Sequence, residues 1–258
     1  MNKTVFLFAT HKLTDFVLEQ YYRLKLATKN IGVLYLLIED GELQQIPVDV
    51  KYYSFSVDTL NELNYESIEE SIIPGSNHFP VLQFYKEHPE FLYYWNIEYD
   101  VYFNGKWESF FDPFEMIISD FISSHIEWYT QRPKWDWWKS VQFKTLSIPQ
   151  NRYLKSFNPI YRISNRALKA LDGVLSLRNS GHHEVVIPTV LDYLGYTIND
   201  FGGNSEFTLC ELNIPCYLSN SELNNWYTES TMRYRPVFNK EAITRKGIDN
   251  MLYHPIKF

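Results

Sequence analysis

The chain has 258 residues, 24 of them basic and 31 acidic, for a net charge of −7. With 45% hydrophobic and 21% charged residues, and only 10 Gly and 12 Pro, it is not a disordered, collagenous or low-complexity chain. The negative balance disfavours a phosphate backbone, so no nucleic-acid partner is expected.

Lys3 is followed by the short apolar run Val5 to Phe8, then by His11, Lys12 and Asp15. A signal-peptide core needs about 7–15 apolar residues, so this run predicts a buried strand over Val5–Ala9 and no export signal. Thr14 is the predicted cap of a helix from Asp15 to Ala27, whose Val17, Tyr21 and Leu24 share one face. Ile31–Ile38 predicts a second buried strand, closed by Glu39-Asp40-Gly41. Tyr52–Val57 predicts a third, with a helical piece over Asp58–Asn64. A helix over Pro80–Glu87 is broken by Pro89, and a strand over Phe91–Val101 follows. Asp112-Pro113 reads as an N-cap and a first helical residue, opening a short helix to Ile118. Asp120–Tyr129 is a predicted strand and Gln131–Val141 a tryptophan-rich loop. Pro159–Ile163 is a strand, and Ser164 caps a helix to Leu171. After the turn Asn179-Ser180-Gly181, a helix over Glu184–Leu194 is closed by Gly195. Pro188 is accommodated there as an early helical position whose N–H lacks a partner anyway. Beyond Ile198 no regular element is predicted.

No repeat or linker interrupts this order, and strands alternate with helices, which favours one α/β domain with a mainly parallel sheet. No stretch approaches the roughly 18 apolar residues of a membrane span. Cys210 and Cys216 lack the second pair that a zinc knuckle needs, so both are expected as reduced thiols. The expected compartment is the cytoplasm.

Several site classes are excluded. No G-x-G-x-x-G follows the first strand, and neither a Walker A loop nor a G-x-S-x-G elbow is present. His183-Glu184 opens like H-E-x-x-H, but Ile187 stands where the second histidine is required. The first strand ends in Ala9-Thr10-His11 rather than in the D-x-D of an aspartyl-phosphate enzyme.

The informative segment is Tyr93-Tyr-Trp-Asn-Ile-Glu98-Tyr-Asp100-Val101. Open α/β sheets bind ligands at the carboxyl ends of strands. Carboxylates at i and i+2 share one side of an extended chain. Glu98 and Asp100 there form an oxygen-rich pair suited to Mg²⁺ or Mn²⁺ bridging phosphate oxygens.

The stretch Phe79–Trp107, containing Glu98-Tyr99-Asp100, resembles the helix, strand and D-x-D element of GT-A glycosyltransferases. Phe157–Leu168 is similar to that family's strand and helix behind the acceptor site. Gly181-His-His-Glu-Val-Val-Ile-Pro188 is similar to its acidic helix start, and Tyr253-His-Pro-Ile-Lys257 to its metal-closing tail. The blocks occur in the family's order. The resemblance implies a single GT-A-like, Rossmann-like α/β domain with a mixed, mainly parallel central sheet flanked by helices. Residues 1–107 would bind the nucleotide sugar and 108–258 the acceptor.

The resemblance also implies roles. Asp100 is the metal ligand, joined by His254 as a neutral imidazole. Glu98, where the family has Asp, meets the ribose or a metal-bound water. Thr10, His11, Glu39 and Asp40 meet the base and ribose, and Lys257 pairs with the diphosphate. Glu184, at a helix start whose dipole favours a carboxylate, is the general base of an inverting reaction. His183 flanks the acceptor. Trp135, Trp137 and Trp138 form a loop whose aromatic faces suit sugar C–H faces.

The implied function is metal-dependent glycosyl transfer, with Mn²⁺ or Mg²⁺, from a nucleoside-diphosphate sugar to a carbohydrate or other hydroxyl acceptor. Such an activity belongs to glycan or polysaccharide biosynthesis and allows peripheral membrane association. Two alternatives stand beside it: a non-catalytic carbohydrate- or nucleotide-binding protein on the same scaffold, and a nucleotidyltransferase.

Overall fold

The computed structural model describes residues 4–203, 205–209, 215–219 and 229–257; Cys210 lies outside them, and Cys216 carries a free thiol. Strand β1 (Thr4–Thr10) leads into helix α1 (Asp15–Thr28), capped by Thr14, whose hydroxyl accepts from Val17 N–H at 3.2 Å. β2 (Val33–Glu39) and β3 (Tyr52–Phe55) follow, then α2 (Thr59–Leu63) and α3 (Phe79–Glu87). β4 (Tyr93–Glu98), the short β5 (Tyr102–Phe103) and α4 (Trp107–Phe111) come next. β6 (Phe121–Trp128) and β7 (Leu154–Ser164) precede α5 (Asn165–Leu175), α6 (His183–Tyr193) and β8 (Ile198–Asp200). The described C-terminal segment holds β9 (Phe238–Asn239), α7 (Lys240–Lys246), β10 (Leu252–Tyr253) and β11 (Ile256–Lys257).

Seven strands form one sheet in the order β3-β2-β1-β4-β7-β6-β8. β7 runs antiparallel to both its neighbours, and every other pairing is parallel. The result is a single α/β domain with a mixed, mostly parallel sheet flanked by helices, the architecture expected from the sequence.

The side-chain period of two in β1 divides the core into two layers. Val5 and Leu7 pack with residues of α3, α5 and α6, whereas Phe6 and Phe8 pack with α1 and α4. The second layer holds much of the aromatic content. Trp95 stacks on Phe201 at 5.9 Å between ring centres and meets Phe110, Phe111 and Phe114 edge-on. Such edge-to-face contacts add to the apolar burial of each ring.

The predicted helix over Asp112–Ile118 is reduced to a single 3-10 turn over Asp112–Phe114. The α-helix begins earlier, at Trp107, because Trp107, Phe110 and Phe111 bury together; Asp112 stands at its end, where its backbone N–H donates to the Glu108 carbonyl and its side chain makes no capping bond. The loop that follows is held instead by Arg162, a buried residue of β7. Its guanidinium donates to the carbonyls of Phe114 at 2.5 Å, Ile117 at 2.6 Å and Ser119 at 3.3 Å.

Pro188 is not at an early position either. α6 starts at His183, so Pro188 falls in its second turn and leaves the Glu184 carbonyl without its helical donor. The Ser156 hydroxyl approaches that carbonyl at 3.5 Å. Gly195 ends the helix at φ +77°, a conformation without penalty only for glycine.

Beyond Ile198 the chain is more regular than the sequence predicts. β10 pairs with β5, and β11 with β9, so residues 252–257 are laid back across the carboxyl end of β4.

Candidate metal centre

Glu98 is the last residue of β4, beside Ala9 of β1. The chain then turns rather than continuing as a strand. Val101 N–H donates to the Glu98 carbonyl at 3.0 Å, and Tyr99 N–H to the Ala9 carbonyl at 2.9 Å. The extended-chain expectation for Glu98 and Asp100 is thereby corrected: a tight turn brings the two carboxylates to one place.

The tail supplies the third group. Tyr253 pairs with Tyr102, and His254 comes to rest with Nε2 3.4 Å from Asp100 Oδ1 and 3.9 Å from Glu98 Oε2. One potential ligand atom from each of Glu98, Asp100 and His254 lies within 4.8 Å of the others. The His254 Nδ1 faces the Arg233 carbonyl at 2.9 Å. A carbonyl only accepts, so Nδ1 carries the proton and Nε2 is turned to the carboxylates. Two carboxylates and an imidazole whose far nitrogen is held by a carbonyl are a donor set that fits Mg²⁺ or Mn²⁺.

The electrostatics agree with a site short of positive charge. Burial, then the neighbouring Asp100 charge, raises the Glu98 carboxyl above its ordinary range, while His254 and the Asn77 amide, 3.3 Å away, oppose the shift. Burial disfavours a charged His254 ring, yet Asp100 and Glu98 together lift it above its usual value.

Glu184 faces the same region from the first turn of α6. Its Oε1 accepts from Asn158 N–H at 3.2 Å, and its own N–H donates to His182 Nδ1 at 3.3 Å. Burial pushes its carboxyl up to about 7, against the pull of Lys155, the Asn158 N–H and His254. Glu184 is close enough to Glu98 for its charge to raise that group as well.

Thr10 and His11 lie beside this cluster at the end of β1. The Thr10 hydroxyl is turned inward to the Lys12 carbonyl at 2.7 Å, while the exposed His11 ring meets Tyr99 edge-on at 5.1 Å. Glu39 and Asp40 are exposed at the end of β2, the next strand outward. Lys257 is exposed in β11, three residues past His254.

The tryptophan loop packs on the start of α6. Trp137 stacks on His182 at 4.4 Å, and Trp135 lies 6.1 Å from the same ring. Both are part-exposed. Trp138 is only 3% exposed and donates its indole N–H to the Arg132 carbonyl at 2.8 Å, so it supports the loop and presents no open face. His183 is buried, its ring pushed down to about 3 by that burial, and stacks on His78. It lies beneath the surface, 5% exposed.

Asn77, Lys155 and Asn158 are neighbours of the site carboxylates that the sequence did not single out. Asn77 sits in a turn, where Asn is ordinary; Asn158 and Lys155 sit in a polar stretch of β7 with no sequence signal of burial. Only the tertiary fold brings them to Glu98 and Glu184.

No family model matches the chain, and no curated protein matches it in sequence. Solved structures do resemble it. A glycosyltransferase involved in glycosylation of the major capsid of PBCV-1 is 13% identical, with 78% of this chain and 84% of that one covered, at a TM-score of 0.38. The inositol-1-phosphate CTP transferase from T. maritima is 12% identical over 83% and 92% of the two chains, at 0.42. A galactosyltransferase solved with donor and acceptor sugar analogues is 8% identical over 77% and 73%, at 0.42. Likenesses this distant assign no activity.

Proposed function

We propose that the chain is a metal-dependent glycosyltransferase, moving a sugar from a nucleoside-diphosphate donor to a hydroxyl acceptor. The observation that supports this most is the Glu98–Asp100–His254 cluster at the carboxyl end of the sheet, with Glu184 turned toward it. A divalent cation bound there would offset the charge that develops on the departing diphosphate.

The protein's own groups divide the remaining work. Thr10, His11, Glu39 and Asp40, at the ends of β1 and β2, receive the nucleoside. Glu98 meets the ribose or a metal-bound water, and Lys257 pairs with the diphosphate. In an inverting reaction Glu184 takes the proton of the attacking hydroxyl, a task suited to a carboxyl that titrates near 7. Trp135 and Trp137 offer aromatic faces to the acceptor, with Trp138 and His183 behind them.

Calorimetry with UDP, GDP and CDP, with and without Mn²⁺, tests the reading. Nucleotide binding that requires Mn²⁺ and disappears in Asp100→Ala is the expected result. If none of the nucleotides binds, the transferase reading fails. Release of free nucleoside diphosphate from a nucleotide sugar marks glycosyl transfer; release of pyrophosphate from a nucleoside triphosphate and a sugar phosphate would mark a nucleotidyltransferase.

A further inference from the structure

Behind the His254 ring lies a row of buried polar groups with no part in the chemistry above. Asp200, Tyr217 and His125 are each at most 3% exposed. The Tyr217 hydroxyl donates to Asp200 Oδ1 at 2.8 Å and accepts from the His125 N–H at 2.9 Å. Asp200 also accepts from Ile126 N–H at 2.8 Å and Gly202 N–H at 3.0 Å. The His125 ring reaches on, its Nε2 2.8 Å from the Met232 carbonyl.

Met232 is the middle residue of the segment that holds His254. The Thr231 carbonyl accepts the His254 N–H at 2.9 Å, and the Arg233 carbonyl meets His254 Nδ1 at 2.9 Å. Thr231 is tied in turn to Leu218, next to Tyr217, by its own N–H at 3.1 Å and by its hydroxyl, which accepts from Leu218 N–H at 3.0 Å. A hydrogen-bonded path therefore runs from Asp200 through Tyr217 and His125 to the segment that grips the imidazole. His125 holds a φ of +51°, which is uncommon for a residue with a side chain. A polar network satisfied at every step specifies one arrangement, whereas apolar packing would tolerate several.

We propose that Asp200, Tyr217 and His125 are positioning residues for His254, fixing the 231–233 carbonyls that orient its ring and thereby setting the affinity of the Glu98–Asp100–His254 cluster for a divalent cation. The inference rests on the cation reading given above. Groups bonded directly to a metal ligand typically change metal affinity by about 10–100-fold when removed; His125 and Tyr217 act one and two bonds further out, through the 231–233 backbone, so a smaller effect is expected.

The test measures Mn²⁺ binding to the whole protein, from the loss of the free-ion EPR signal. Tyr217→Phe keeps the ring and deletes only the bridging hydroxyl. His125→Asn shortens the reach to Met232 while tolerating a positive φ. Each is expected to weaken Mn²⁺ binding several-fold, up to about tenfold, with His125→Asn the larger, and to alter the visible spectrum of bound Co²⁺. Leu171→Ala, a cavity in α5 on the other face of the sheet, is expected to lower Tm without changing either readout. If Tyr217→Phe does not fold, His125→Asn carries the comparison. Wild-type Mn²⁺ affinity in the folded variants overturns the inference and leaves the cation reading standing. No Mn²⁺ binding by the wild-type protein overturns both.

Discussion

Ile256 N–H donates to the Asp100 carbonyl at 3.0 Å. The residue that offers a carboxylate to the site is thus also the anchor for the tail that delivers His254. Glu98, Asp100 and His254 stand or fall as a unit, because the backbone that carries the first two docks the third.

His254→Ala is therefore expected to reduce Mn²⁺-dependent nucleotide binding almost as far as Asp100→Ala does, with binding in the absence of metal unchanged in both. Calorimetric titrations with UDP, with and without Mn²⁺, give the comparison. A His254→Ala protein with wild-type Mn²⁺ dependence would remove the tail from the site.

The Glu184 carboxyl, pushed up to about 7 by burial, must be ionised to act as a base. Turnover is expected to fall as pH drops below about 7 and to level off above it. Glu184→Gln should lower kcat by roughly 10²–10⁴-fold and flatten the profile, with the donor KM little changed. Stability runs the other way. Between its ordinary value of 4.5 and about 7, folded Glu184 holds a proton that the unfolded chain has released. Its contribution is present below about 4.5 and is lost as pH rises through about 7. Chemical denaturation of the wild type and Glu184→Gln at pH 5 and pH 8 measures that difference.

Trp137 and Trp138 should separate cleanly. Trp138→Ala removes a buried indole and is expected to cost about 3–5 kcal/mol in urea unfolding. Trp137→Ala should leave stability within about 1 kcal/mol, as for a part-exposed residue, and raise the acceptor KM. Equal losses of stability in the two would make the whole loop a plug.

Arg162→Met leaves the carbonyls of Phe114, Ile117 and Ser119 without their donor. A buried polar group left unpaired costs about 1–3 kcal/mol, so a loss of at least about 2 kcal/mol is expected in urea unfolding, with Mn²⁺ affinity unchanged. A neutral result would show that the loop finds other donors.

The central strands were legible because each of them reads as an unbroken apolar run: Val5–Phe8 and Leu34–Ile38 are buried on both faces. Thr14, Ser164 and Gly195 mark helix ends by local chemistry and do so in the structure. Asp112-Pro113 carried the same kind of local signal, but burial of the three aromatic residues of α4 outweighed it. The sequence predicts β7 only from Pro159 because Lys155, Ser156 and Asn158 are polar; they are buried through partners on β6 and α6 that no short-range pattern reveals. That strand is also reversed, so its beginning, not its end, lies at the ligand edge. In the site itself, Glu98, Asp100, His254 and Glu184 were reached by motif order. Asp200, Tyr217 and His125 were not, since nothing in a linear sequence joins them.

A cation held between β4 and His254 would cross-link two pieces of chain that otherwise meet through backbone hydrogen bonds and the packing of Leu252, Tyr253 and Ile256 against Phe103 and Tyr102. Whatever binds only the folded arrangement deepens its well, and the stabilisation is felt first where opening is local. The amides of Leu252, His254 and Ile256, which donate to Cys216, Thr231 and Asp100, thus form a built-in gauge of occupancy: their hydrogen exchange should slow on loading while that of β1 and β2 stays the same.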